Sequence, residues 1–134
     1  GLQASENIAP YNVAKFGVVA LTETLRLELD ALQAPISASV LCPGAVATRI
    51  CESDRNREAA GGGVATPSAT DDSFKAQAGA IVDVGMSPDA VAELVVAAIR
   101  ADDFWIITHP DWKAVMRERA EGMVDNQLVT RFGG

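Results

Sequence analysis

Two side chains able to move a proton stand four positions apart in Ala9-Pro10-Tyr11-Asn12-Val13-Ala14-Lys15. Four residues make about one helical turn, so the Tyr11 phenol and the Lys15 ammonium share a helix face. An ammonium beside a phenol favours the phenolate, and such a pair suits proton transfer at an alcohol or carbonyl oxygen. The same spacing also serves a half-buried tyrosine beside a lysine whose stem runs out to water. A second signal separates these readings. The largely apolar segment Ile36 to Cys42 runs straight into Pro43-Gly44-Ala45-Val46-Ala47-Thr48, where a strand should give way to an open turn.

Together, the Tyr-x-x-x-Lys helix, the strand about twenty residues on and the Pro-Gly-x-Val-x-Thr turn resemble the short-chain dehydrogenase/reductase family of nicotinamide-dependent oxidoreductases. The resemblance begins at the Gly1 turn and covers nearly the whole chain. It takes in Ser87-Pro88-Asp89-Ala90-Val91-Ala92, a helix start, and reaches Phe104-Trp105-Ile106-Ile107-Thr108-His109-Pro110, which is similar to the family's last strand. The fold it implies is α/β: the C-terminal part of a Rossmann-like, doubly wound parallel sheet, with two strands, about three main helices and a mobile substrate lid at 49–86.

The resemblance also implies roles. Tyr11 would pass a proton to or from the substrate oxygen while a hydride moves between substrate and nicotinamide. Lys15 would favour the phenolate and hydrogen-bond the nicotinamide ribose. Pro43 and Gly44 would open the backbone beside the nicotinamide, the Val46 main chain would meet its carboxamide, and Thr48 would add a hydroxyl contact. The implied cofactor is NAD or NADP, the substrate a small alcohol or carbonyl compound, and the complete protein a homo-oligomer.

Three features of the family are not found in these 134 residues: the Gly-rich phosphate loop, an Asn-Asn-Ala-Gly segment, and a Ser thirteen positions before the Tyr. Counting back thirteen from Tyr11 runs off the sequence, and Ser5 is too close to take that role. The expectation is a C-terminal half without its cofactor-phosphate site, inactive alone. The alternative is a truncated, non-catalytic module that pairs with an intact dehydrogenase.

Composition narrows the field further. With 49% hydrophobic residues the chain can build a core, and its formal charge of -7 argues against a nucleic-acid partner. Two cysteines, Cys42 and Cys51, do not make a disulfide scaffold, and with a single His they give no metal site. The longest apolar run, Phe16 to Leu21, is too short to span a bilayer, and the default location is the cytoplasm.

The elements that must position the pair are legible. Pro10 suits the first turn of a helix running to about Leu32, apolar on nearly every side in its first half and amphipathic later, with Leu25 and Leu29 turned inward. Ser87 can cap a helix that opens with Pro88 and buries Val91, Leu94, Val95, Ala98 and Ile99. Phe104 to Thr108 should form a strand parallel to the first. Asp111 to about Asp125 should form a terminal helix carrying Trp112, Val115, Met116, Ala120 and Met123 at helical spacing. Asn12 receives no chemical role, and His109 reads as a turn residue. Arg49 reads as solvated, and Trp105 and Trp112 as core or docking residues.

Overall fold

The computed structural model describes residues 1–6, 8–52 and 79–129. The chain divides into two units, one of Gly1–Pro43 with Leu94–Gly134 and the other of Gly44–Glu93.

In the first unit, helix α1 spans Ala9–Ala31 and carries Pro10 in its first turn, where the missing N–H leaves no intrahelical bond unmade. Its covered stripe is Asn12, Phe16, Val19, Thr22, Arg26 and Leu29, a helical period in which three members are polar. Strand β1, Val40–Cys42, pairs in parallel with strand β2, Trp105–Ile107, in the register Val40 to Trp105, Leu41 to Ile106 and Cys42 to Ile107. Val19, Val40, Ala98 and Ile106 form the buried apolar centre of this unit.

Arg26 joins α1 to the amino ends of both strands. Its Nη1 and Nη2 each donate to one carboxylate oxygen of Asp102 at 3.0 Å, and Nη1 also donates to the Ala38 carbonyl at 3.3 Å. Its Nε donates to Asp30, one turn further along α1. Ser37 Oγ donates to Asp102 at 2.6 Å, and Ser39 Oγ donates to the Asp103 carbonyl. A two-pronged arginine–carboxylate contact fixes orientation as well as distance, so it sets how the end of α1 meets the sheet.

Helix α2, Pro88–Ala101, precedes β2, and helix α3, Trp112–Val124, follows it. The three long helices among the described residues end alike. Residues with left-handed φ follow them: Gln33 at 51°, Asp102 at 55° and Asn126 at 56°. In each case the next N–H reaches back to a carbonyl five residues earlier: Ala34 to Leu29, Asp103 to Ala98 and Gln127 to Gly122. That closure satisfies the last carbonyls of a helix and is commonly built on glycine; here Gln, Asp and Asn fill the position.

The second unit holds the turn after β1, a single 3-10 turn at Ile50–Glu52, helical residues 79–83 and the start of α2. Ser87 Oγ accepts from the Ala90 N–H at 3.2 Å, so it caps α2 as its sequence position predicts.

Several expectations need correction. The first strand is shorter than Ile36 to Cys42, because Ser37 and Ser39 are held by side-chain bonds to Asp102 and Asp103 rather than by strand pairing, and Ile36 is exposed. Leu25, Leu94 and Ile99 are exposed rather than inward, and Ala120 and Met123 of the terminal helix are exposed as well. A two-stranded sheet offers too little surface to cover every apolar helix face. The lid expected at 49–86 falls largely on 53–78, outside the described residues. No described helix is long and apolar enough to cross a membrane.

Candidate active site

The sequence pair is realised on α1. Lys15 Nζ stands 5.4 Å from the centroid of the Tyr11 ring, so the ammonium approaches the face of the phenol. Tyr11 is half exposed, with 51% of its surface accessible. Lys15 lies eleven residues before Arg26, a helical rise of about 16 Å, which matches the roughly 16 Å of extended chain from Ala38 to Pro43. With Arg26 tied to the amino ends of the strands, the Tyr11 turn stands towards their carboxyl ends. Open α/β sheets bind ligands beyond those ends.

Residues 1–6 cross over the start of α1. A Cβ on Gly1 would collide with the Lys15 carbonyl oxygen and lie 2.8 Å from Val19 Cγ2, so only glycine lets the backbone approach the helix this closely. Asn12 Nδ2 donates to the Ser5 carbonyl at 2.7 Å. Gln3 Nε2 reaches the Val129 carbonyl at 3.4 Å, and the buried Gln3 Oε1 meets no donor among the described residues. Phe16 lies under Arg119 of α3, with the guanidinium 5.2 Å from the ring centroid. Asn12 carries no role by residue pattern alone; its place on the covered stripe of α1, one residue from Tyr11, is the signal that marks it.

At the carboxyl ends of the strands, Pro43 is exposed immediately after β1. Burial pushes the Cys42 thiol up, which disfavours the thiolate and makes this cysteine a poor nucleophile. Thr108, 4% exposed, places its Oγ1 2.7 Å from His109 Nδ1, and the His109 ring tilts against Trp112 at 5.5 Å. These contacts fit the reading of His109 as a turn residue between β2 and α3.

In the second unit, the turn that contains Gly44, Val46 and Thr48 is pinned to residues 85–86. Val46 and Met86 form an isolated parallel bridge, in which the Met86 N–H donates to the Ala45 carbonyl at 3.0 Å and the Ala47 N–H to the Met86 carbonyl at 2.9 Å. This pattern uses the groups flanking Val46, so the N–H and C=O of Val46 itself face the opposite edge. Gly85 makes the contact possible, since a Cβ there would stand 2.7 Å from the Ala45 carbonyl carbon. Thr48 is exposed, and Arg49 is paired with Glu52 rather than freely solvated. Among the described residues no cluster of three or more His, Cys, Asp or Glu could hold a metal ion.

Comparison with known proteins bears on both units. Residues 1–59 match the family model described as short chain dehydrogenase. A dehydrogenase/reductase of CLA biosynthesis from Lactiplantibacillus plantarum is 27% identical over 127 residues, covering 92% of this chain and 44% of that protein. The crystal structure of a short chain dehydrogenase/reductase from Burkholderia phymatum, in complex with NAD, superposes with a TM-score of 0.89 at 31% identity, covering 99% of this chain and 48% of that one. The chain thus spans a little under half the length of either protein.

Proposed function

Because the chain belongs to the short-chain dehydrogenase/reductase family, we propose that it carries the proton-transfer residues of an NAD(P)-dependent oxidoreductase acting on a small alcohol or ketone. The observation that supports this most is the Tyr11–Lys15 pair, sharing one face at the carboxyl-end level of a parallel strand pair. In alcohol oxidation Tyr11 accepts the hydroxyl proton as its phenolate; in ketone reduction its phenol donates that proton to the forming alkoxide. Lys15 supplies positive charge beside the ring. Nicotinamide, when bound, accepts or delivers the hydride.

The residues present fit that cofactor in one specific respect. A carboxamide offers an NH2 donor and a carbonyl acceptor, and the outward C=O and N–H of Val46 are the complementary acceptor and donor in a single residue. Gly44 lets backbone approach a flat ring closely, Pro43 cannot offer a competing N–H, and Thr48 adds an exposed hydroxyl. Lys15 has the charge and reach to bond the ribose hydroxyls. The small-molecule partner and a homo-oligomeric complete protein follow the family; segment 49–86 would act as its substrate lid.

These 134 residues are not expected to turn over substrate alone. They contain no Gly-rich phosphate loop and no Ser thirteen before Tyr11 to polarise the carbonyl, and losing one such contact costs about a hundredfold or more in rate. A second reading, a module that pairs with an intact dehydrogenase, draws support from Val13 and Leu27 on α1, which are 74% and 69% exposed. The two part on a binding experiment. Titration of this polypeptide with NADH and NADPH should give no micromolar binding under the first reading, and stoichiometric micromolar binding would overturn the claim of incompetence. Co-purification with a complete dehydrogenase as a discrete mixed complex would favour the second.

A further inference from the structure

We propose that Asn12 is a positioning residue, whose carboxamide clamps the crossing of residues 1–6 onto α1 so that this segment forms a fixed wall beside Tyr11. The inference deepens the proposed function and rests on it for its catalytic consequence, though the clamp itself does not.

Three observations carry it. Asn12 donates from Nδ2 to the Ser5 carbonyl at 2.7 Å, a short contact that closes the crossing against the first turn of the helix. Gly1 anchors the other end of the same crossing, its backbone set against the Lys15 carbonyl and Val19 so tightly that no Cβ fits. The midpoint is fastened separately, through Gln3 Nε2 to the Val129 carbonyl. The crossing is thus held on α1 at both ends, by residues one position after Tyr11 and at the carbonyl of Lys15. Both functional side chains therefore have the segment's position fixed relative to their own backbone.

The residue type at position 12 follows from the geometry. The Asn12 N–H is already spent on the Ile8 carbonyl at 2.9 Å, so a second donor must come from the side chain. Ser or Thr in a helix tends to bond back to its own preceding turn, whereas a carboxamide can donate outward across the helix surface. Asp has the same shape but, ionised, only acceptors, and would set a carboxylate against the Ser5 carbonyl oxygen.

Asp is therefore the discriminating substitution. In Asn12→Asp, hydrogen exchange of the backbone amides of residues 2–6, measured by mass spectrometry on this chain, should be about tenfold faster than in the parent at pH 7. The ratio should fall back towards one below about pH 4, where a protonated carboxyl regains a donor. Asn12→Leu should be faster at every pH. In the complete enzyme, assayed with cyclohexanol as the secondary-alcohol probe, both substitutions should lower kcat about tenfold at pH 7 and leave the KM for the cofactor unchanged. Parent-like exchange in both proteins, or a pH-independent ratio for Asn12→Asp, would overturn the proposal. If Asn12→Leu does not fold, the pH dependence of Asn12→Asp decides alone. Should Tyr11→Phe keep full turnover while the Asn12 exchange effects hold, the functional reading fails and the clamp stands; should Tyr11→Phe be inactive while Asn12→Asp exchanges like the parent, only the clamp fails.

Discussion

At the scale of single residues, what matters is which groups are placed and which are merely present. Tyr11 and Lys15 were legible because helical spacing follows from sequence separation alone. Val46 was legible as part of a turn, but its free edge was not. That edge depends on pairing with Met86, forty residues away, which no local pattern announces. Gly85 shows the same limit: only the structure reveals that its missing Cβ admits the Ala45 backbone at 2.7 Å. Gly85→Ala should therefore force this bridge apart, at about 1–3 kcal/mol of stability. In the complete enzyme it should also raise the KM for the cofactor more than it lowers kcat, because the displaced group is the one proposed to meet nicotinamide rather than to move a proton. Steady-state kinetics at saturating alcohol reads that split, and an unchanged cofactor KM would contradict the role given to the Val46 edge.

At the scale of elements, helix starts were easier to read than helix ends and strand lengths. Pro10, and Ser87 with Pro88, mark their starts by rules of the first turn. The ends carry no glycine, so the left-handed closures at Gln33, Asp102 and Asn126 left little trace in the sequence. Gln33→Gly should relieve a conformation costly for a side-chain-bearing residue and stabilise the protein by up to about 1 kcal/mol, measured as a shift in the midpoint of urea unfolding. Asp102 does more than close α2. The hydrogen bond from Ser37 and then the Arg26 guanidinium hold its carboxyl below the usual carboxylate range. A lowered folded pKa gives stability that is fully present above the unfolded value, about 3.9, and is lost as pH falls through the folded one. Asn tolerates the left-handed conformation but carries no charge. Asp102→Asn should therefore flatten the acid limb of Tm between about pH 5 and 2, and parallel curves for the two proteins would contradict the link between Asp102 and Arg26.

At the scale of the whole molecule, the α/β class and parallel pairing were readable because a helix between two apolar segments requires a crossover. Burial was not. Val13, Leu21 and Leu27 on α1 and Ile99 on α2 are 64% exposed or more, although the hydrophobic pattern assigns such residues to interfaces. Pattern tells that a face wants cover, and only the rest of an assembly supplies it. Isolated, the 134-residue polypeptide should self-associate, and light scattering should show its mean mass rising with concentration. Proton transfer by Tyr11 is tested by alcohol-dependent reduction of NAD or NADP, followed at 340 nm, by the complete enzyme and its Tyr11→Phe variant. The parent should turn over and the variant should lose about a hundredfold to ten-thousandfold in rate, the range that a positioned acid–base contributes, with cofactor binding preserved. Full turnover without the Tyr11 hydroxyl would contradict it.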